Sequence, residues 1–209
     1  MISHALTIIV NELNHHLTET YGISANHAPA GLSSLSREQF LPAPGIESAS
    51  QECLNLTLVN IQADAAFKNT LPSRETTGAR VDTTPLYLSL LLLLTATHAS
   101  YSQALLMLGR AMQFFHSRSV FTDRNVSGET LTLHAPENTL DRLEEFRFNL
   151  TLHTMTLEET EQIWAALKSP QVPAALYQLS VVAIPAKVQK TNPLPVLERR
   201  MTTGKIDKG

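Results

Sequence analysis

Residues 146–170, FRFNLTLHTMTLEETEQIWAALKSP, carry the clearest secondary-structure signals in the chain. Apolar and polar residues first alternate, which is the two-residue period of a strand with one face in solvent. The apolar positions of this strand are Phe146, Phe148, Leu150 and Leu152. Thr156 and Glu159 then form a capping box, which predicts the start of a short helix that ends before Pro170. The apolar face of that helix consists of Leu157, Ile163, Trp164 and Leu167.

The flanking segments predict a further strand and a long helix. Leu176 to Ile184 is apolar enough for a final strand, and Pro185 closes it. From Ala99 to Arg118, apolar residues recur at helical spacing and predict a broadly buried central helix. One stripe of this helix holds Tyr101, Leu105, Leu108, Met112 and Phe115, and another side carries Leu106 and Phe114. We expect three aromatic side chains to anchor the core: Tyr101 and Phe115 of this helix, and Trp164 of the short helix.

The N-terminal half contains a helix, a long loop and two apolar runs. Ile2 to Leu17 has the pattern of an amphipathic helix that ends at Gly22. Residues 24–50 are rich in Ser, Ala, Pro and Gly, which predicts a long loop. Leu54 to Asp64 changes its apolar phase, which indicates a bulged strand or one buried on both faces. Residues 66–84 are polar and suggest a hairpin-like excursion. The Leu-rich run after Pro85 fits a strand or a helix on local grounds.

This order of elements predicts an α+β fold with a mixed or antiparallel central sheet and flanking helices. With 209 residues, of which 43% are hydrophobic and 17% charged, the chain can bury one ordinary core. We therefore expect a single domain over residues 1–186, including the 24–50 loop, and an extended arm over residues 187–209.

Composition excludes several classes of function. The formal charge of -3 lacks the basic excess of a nucleic-acid binder. The longest apolar run, Leu86 to Leu94, is about half of the ~20 residues that a membrane-spanning helix needs. The opening residues have no Lys or Arg and resemble no secretory signal. The single cysteine, Cys53, fits a buried inert thiol in a reducing compartment.

Residues that could carry chemistry are scattered. The eight histidines include no pair at the three- or four-residue spacing of a helical metal site, and the common nucleotide-binding and hydrolase motifs are absent from the sequence. Glu144-Glu145 and Glu158-Glu159 are adjacent pairs, whose side chains diverge. We therefore expect no catalytic, metal-binding or cofactor-binding residues. Two other functions stay open: a small enzyme or ligand-binding domain that uses His153 or His134, and an adaptor that adds a peptide to a sheet edge.

The C-terminal arm concentrates positive charge. Six basic residues oppose Glu198 and Asp207, so residues 187–209 carry +4 and residues 1–186 carry -7, the sum being -3. Pro193 and Pro195 disfavour regular structure at the start of the arm. We expect the arm to lie on an acidic neighbouring subunit rather than on its own core. The candidate interface residues are Lys187, Lys190, Arg199, Arg200, Lys205 and Lys208.

Several stretches, taken in order, resemble one protein family. They are Met1-Ile2-Ser3-His4-Ala5-Leu6, Leu58-Val59-Asn60-Ile61, Pro85-Leu86-Tyr87-Leu88, Gln113-Phe114-Phe115 with Val120-Phe121-Thr122, Leu157-Glu158-Glu159, Ile163-Trp164 and Pro173-Ala174-Ala175-Leu176-Tyr177. Over residues 1–186 the chain resembles the N-terminal domain of the cap, or tube-terminator, protein of extracellular contractile injection systems. These phage-tail-like particles include the antifeeding-prophage and virulence-cassette types.

The resemblance implies a fold, partners and a location. It implies a tail-terminator-like domain, with a strand over Pro85 to Leu94, that forms a six-fold ring on the distal end of the inner tube and contacts the last sheath layer. It also implies no catalytic residues, no cofactor, assembly in the bacterial cytoplasm and a place in a releasable particle. The chain departs from the family in the Ser/Ala/Pro-rich stretch at 24–50 and in the short basic arm, where some relatives continue with a further domain.

Overall fold

The computed structural model describes residues 1–23, 29–35, 53–63 and 86–184. The elements are α1 (Ile2–Tyr21), β1 (Ala30–Leu32), β2 (Cys53–Ala63), β3 (Leu86–Thr97), α2 (Tyr101–Ser117), β4 (Val120–Thr122), α3 (Gly128–Thr132), a 3-10 turn (Thr139–Asp141), β5 (Arg147–His153), α4 (Leu157–Leu167) and β6 (Ala174–Ile184). The excursion predicted for residues 66–84 and the arm from residue 187 lie outside this range.

The six strands form one sheet in the order β1-β2-β3-β6-β5-β4. β1 runs parallel to β2, and every other neighbouring pair is antiparallel. The predicted α+β class with a mixed central sheet and flanking helices is confirmed. The Leu-rich run is the strand β3, which β2 and β6 flank on both sides. In β2 the register shifts between Leu58 and Asn60, so the change of apolar phase in the sequence is a bulge.

Each face of the sheet has its own core. On one face α1 and α2 cover even-numbered residues of β3, among them Leu90 and Leu92, in the larger cluster of buried side chains. On the other face α4 places Trp164 in a smaller cluster with Leu93 and Leu176. A central strand covered on both faces has no polar side, which explains why β3 shows no alternation in the sequence.

The helix ends follow their sequence signals. Gly22 follows α1 with φ 63°, a left-handed conformation that glycine adopts without strain. Thr156 and Glu159 form the predicted capping box at the start of α4, in which each side chain accepts a hydrogen bond from the other residue's backbone N–H. Lys168 ends α4 in the left-handed conformation, with φ 52°.

Four expectations need correction. Within the predicted 24–50 loop, Ala30–Leu32 form β1, because Asn14 of α1 bonds both backbone groups of Ala30, at 2.8 and 2.9 Å. Between α2 and β5 the sequence predicts several short strands, but only β4 is a strand there, and the short helix α3 occupies Gly128–Thr132. Leu157, expected on the apolar face of α4, is 76% exposed because it opens the helix at its solvent side. The fourth is the predicted broad burial of α2.

Helix α2 is not broadly buried. It packs on the sheet through Ala104, Ala111 and Phe115, and the two alanines turn toward the strands. Of the five residues in the predicted stripe, Leu108 and Phe115 belong to this buried face. Tyr101, Leu105 and Met112 lie beside it, at 100° of rotation per residue. Tyr101 is 69% exposed, so it is not the core anchor that the sequence predicted. Phe115 and Trp164 are buried.

Candidate interaction surface

The apolar stripe of α2 is open to solvent along its first turns. Leu105 and Tyr101 of this stripe are 46% and 69% exposed, and Leu106, on another side of the helix, is 48% exposed. Tyr101, Leu105, Met112 and His116 follow one another at spacings of four, seven and four residues, which places them on one side of the helix. Exposed apolar side chains that adjoin one another are typical of interaction surfaces.

A groove continues this stripe between α2 and β5. It has a volume of about 570 Å³ and is lined by Met112, Gln113, Phe115, His116, Ser119, Leu150, Thr151, Leu152 and Tyr177. The rings of Phe115 and Tyr177 meet edge to face with centroids 5.2 Å apart and form its floor. Burial raises the pKa of Tyr177 to about 12, so its hydroxyl stays neutral throughout the physiological range.

The outer side of the groove is an incomplete sheet edge. β4 pairs only with residues 147–149 of β5, and the backbone N–H of Leu150 donates to the carbonyl of Ser119 at 2.8 Å. Beyond that bond, no strand of the described chain flanks β5 on this side. Leu152 was predicted to face the core with Phe148 and Leu150, but it is 55% exposed because α2 does not extend over it. The groove is thus apolar, open and bounded by unpaired backbone.

A buried polar cluster lies at the opposite side of α2. Glu12 of α1 is 2% exposed and accepts hydrogen bonds from the Arg118 guanidinium, from the Thr130 hydroxyl and, at 3.1 Å, from the backbone N–H of Ser127. Arg118 also donates to the carbonyl of Asn125. The carboxylate is therefore fully paired, which a buried charge requires.

Two more polar residues of α1 hold the same segment. Asn11 donates to the carbonyls of Thr130 and Leu133 at 2.9 and 2.8 Å. The Nδ1 atom of His4 accepts from the backbone N–H of Leu143 at 2.9 Å, so Nε2 carries the proton and donates to the carbonyl of Leu131 at 3.1 Å. These contacts, together with those of Glu12, fix residues 118–143 against α1, and we call them the α1 clamp.

A second cleft lies between α1, β1 and α3. Its lining includes Asn14, His15, Glu129 and His134, with an overall volume of about 600 Å³. His134 adopts a left-handed backbone conformation, with φ 53°.

The residues considered for catalysis do not converge. His134 lines the cleft beside α1, whereas His153 lies at the end of β5. Hydrogen bonds from the backbone and side chain of Thr156 are the main reason that the pKa of Glu159 is lowered, and His153 lowers it as well. Cys53 begins β2, and partial burial raises the pKa of its thiol, which disfavours the nucleophilic thiolate. Among the described residues, no three His, Cys, Asp or Glu side chains are arranged to hold a metal ion.

The predicted partner residues of the arm, from Lys187 to Lys208, lie outside the described residues. The groove was not predicted from the sequence, although its signal was present in the α2 stripe. Periodicity identified that stripe correctly but could not show which of its members the sheet covers. Among helices of the described chain, none is long and apolar enough to cross a membrane.

These features define a mixed α/β domain with an apolar groove on its surface. The profile of the Pvc16 N-terminal domain matches residues 4–198, and the chain belongs to that family. This match confirms the resemblance to contractile-injection-system terminators that the ordered sequence stretches indicated. A search of curated proteins found no significant match to this sequence.

Two solved structures are similar to the chain. One is the sheath/tube terminator of an extracellular contractile injection system, PVC, in its extended state, with 16% identity and a TM-score of 0.47 over 96% of this chain and 64% of that one. Another is the tube-terminating cap of the anti-feeding prophage, with 12% identity and a TM-score of 0.41 over 74% of this chain and 51% of that one. The chain therefore spans less than two thirds of either protein.

Proposed function

We propose that the protein is a non-catalytic structural cap that terminates the inner tube and sheath of a contractile injection particle. Membership in the Pvc16 N-terminal domain family over residues 4–198 carries this proposal. The exposed apolar stripe and groove support it, because a cap must present surfaces to several neighbouring subunits. Its partners are copies of itself in a ring, for which we propose six-fold symmetry, together with the tube and sheath proteins. Assembly takes place in the bacterial cytoplasm before the particle is released.

The absence of a catalytic arrangement in the described residues is consistent with this role. An enzyme using His134 or His153 would need a titrating group poised in a pocket. His134 lies in the cleft beside α1 with Glu129, whereas His153 lies at the end of β5, so the two histidines share no pocket among the described residues. We expect the purified protein to show no hydrolase or transferase activity and to bind no stoichiometric metal. One tightly held zinc ion per chain would contradict this.

The first test removes the protein from particle-producing cells. Without the cap, tubes and sheaths should vary in length and lack an electron-dense end, and the wild-type protein should restore uniform particles. Uniform, capped particles in its absence would overturn the proposal. Because the test reads particle length by electron microscopy, it does not depend on how the ring is held together.

A second test addresses the α2 stripe. Leu105→Asp places a charge on an exposed apolar surface, so the isolated chain should keep its stability within about 0.5 kcal/mol while capping is lost. Leu157→Asp is the matched control, since Leu157 is also exposed but lies on α4. Equal capping by both variants would remove the stripe from the interface.

A third test addresses the basic arm that follows the domain. We propose that residues 1–186 form one domain and that the positive charges beyond residue 187 contact an acidic neighbour. Replacing Arg199, Arg200, Lys205 and Lys208 with Gln should weaken docking to the sheath and tube end. It should also reduce the loss of docking with rising salt, because exposed charges are screened beyond about 8 Å at physiological ionic strength. An unchanged salt dependence would exclude the arm charges from docking.

A further inference from the structure

The incomplete edge of β5 has a defined geometry. The backbone N–H of Leu150 donates to Ser119, and the carbonyl of Phe146 accepts from Asp123 at 3.4 Å, so these even-numbered residues direct their backbone groups toward β4. Because such groups alternate along a strand, Leu152 directs its own N–H and carbonyl to the same side. Beyond Ser119, the described chain offers no strand there. The side chain of Leu152 lines the groove.

This geometry specifies what can fill the groove. The occupant must be an extended segment whose hydrogen-bonding residues alternate with residues that face away. In an antiparallel pair, two residues that exchange both hydrogen bonds have their side chains on the same face of the sheet. A residue bonded to Leu152 in this way therefore points its side chain into the apolar groove, and it should be apolar.

Residues 193–196 of this chain, Pro193-Leu194-Pro195-Val196, have that pattern. Proline has no N–H, so it is tolerated in an edge strand only where its nitrogen faces away from the neighbouring strand. With both prolines facing away, Leu194 and Val196 present their backbone groups and their apolar side chains together. The family match extends to residue 198 and so includes this segment.

The orientation excludes the chain's own copy of the segment. β6 runs antiparallel to β5, so the chain leaves Ile184 near the start of β5 and would pass Leu152 in the parallel direction. In a parallel pair, the residue opposite Leu152 turns its backbone away, so a proline rather than Leu194 or Val196 would face the groove.

The chain is also too short to turn back. Tyr177 is opposite Leu152, seven residues before Ile184, which is about 24 Å along the strand. To place Leu194 opposite Leu152 in the antiparallel direction, residue 192 must lie two residues beyond it, about 31 Å from Ile184 along the strand axis. The eight residues from Ile184 to residue 192 span at most about 29 Å. With Val196 opposite Leu152 instead, ten residues, at most about 36 Å, would have to cover the same distance of about 31 Å, cross two strand spacings of about 4.8 Å each and reverse direction twice. In either register the segment in that orientation therefore comes from another copy.

We infer that Leu194 and Val196 of a second copy of this chain dock in the groove, as a short antiparallel strand beside Leu152. This inference rests on the proposed self-assembly of the protein and names the contact that links neighbouring copies. It also assigns the apolar part of the arm to subunit joining, leaving its basic residues for other partners.

Disulfide trapping between two full-length chains tests the contact. Both carry Cys53→Ser, which removes the native thiol; one then carries Leu152→Cys and the other, longer by a tag, carries Val196→Cys or Leu194→Cys. Directly opposed residues in an antiparallel pair have Cα atoms about 5.5 Å apart, within disulfide range. We expect one of the two pairings to give at least about tenfold more mixed disulfide than Leu157→Cys with the same partner, because docking raises the effective concentration.

A second experiment measures the oligomeric mass of two charge variants of the arm. Val196→Asp should lower the oligomeric mass of the full chain, whereas Ile206→Asp should leave it unchanged. If oligomers form but neither pairing exceeds the Leu157→Cys control, the docking inference is wrong while the cap proposal stands. If the wild-type chain forms no oligomer even on tube ends and no trapping occurs, both are wrong. A disulfide that forms only within one chain carrying both cysteines would also overturn the inference.

Discussion

Helices α1 and α2 pack on the same face of the sheet but distribute their polar and apolar residues in opposite ways. α1 buries His4, Asn11 and Glu12, which are 1%, 4% and 2% exposed. α2 exposes Tyr101 and Leu105, which are 69% and 46% exposed. In the amphipathic pattern of α1, Asn11 lies on a polar face with Ser3 and Thr7, opposite the apolar stripe, whereas Tyr101 was expected in the core.

The difference lies in what each helix faces. The polar side chains of α1 meet backbone and side-chain groups of residues 118–143, which pair Nδ2 of Asn11, the Glu12 carboxylate and both ring nitrogens of His4. The apolar stripe of α2 leads into the groove at Met112, beside an edge of β5 that no strand of the described chain flanks beyond β4. An amphipathic period thus identifies a face of a helix, and the neighbouring chain determines whether that face is buried.

The largest expected difference in stability lies between the buried and exposed sides of α2. Phe115→Ala should lower the free energy of unfolding by about 3–5 kcal/mol, because Phe115 is 2% exposed and its removal leaves a cavity. Tyr101→Ala should change it by less than about 0.5 kcal/mol. Urea unfolding of both variants measures the difference. Similar losses for the two would mean that Tyr101 is buried after all.

The smaller core beneath α4 provides a second large effect. Trp164→Ala should also cost about 3–5 kcal/mol and give poorly soluble or molten protein, since Trp164 joins α4 to Leu93 and Leu176 of the sheet. Leu157→Ala, on the exposed side of the same helix, is the control. A melting temperature for Trp164→Ala within a few degrees of wild type would require the helix to turn its face outward.

The α1 clamp should show a comparable but smaller loss. Glu12→Ala removes the acceptor shared by Arg118, Thr130 and Ser127, and breaking a buried ion pair costs about 3 kcal/mol, the lower end of the usual range, because Arg118 is partly exposed. Glu19→Ala breaks an exposed pair with His15 on the same helix and should cost less than about 1 kcal/mol. Denaturant titration compares them. Equal effects would show that the clamp adds little.

The smallest effect concerns the capping box of α4 and depends on pH. Hydrogen bonds from Thr156 hold the pKa of Glu159 below its ordinary value, so the contribution of this carboxylate to stability is complete above about pH 4.5 and is lost as the pH falls through the lowered pKa. Glu159→Gln should flatten this part of the stability profile, and Thr156→Ala should cost about 1 kcal/mol at neutral pH. A profile identical to that of wild type between pH 5 and 3 would contradict the assignment.

Local signals in the sequence determined much of the architecture. The alternation from Phe146, the capping box at Thr156 and the glycine after α1 each act within one or two turns of chain, so they could be recognised without a fold. The ordered family stretches identified the Leu-rich run as a strand, which local propensity could not do.

Only the tertiary structure decided which of these faces are covered. β1 exists because Asn14 holds Ala30 from sixteen residues away, and Glu12 is buried because Arg118 and Thr130 approach it across more than a hundred residues. The groove beside Leu152 arises where β4 is three residues long and α2 turns its alanines to the sheet. Burial depends on long-range contacts between elements, and a periodic sequence pattern records only the side of an element that is suited to make them.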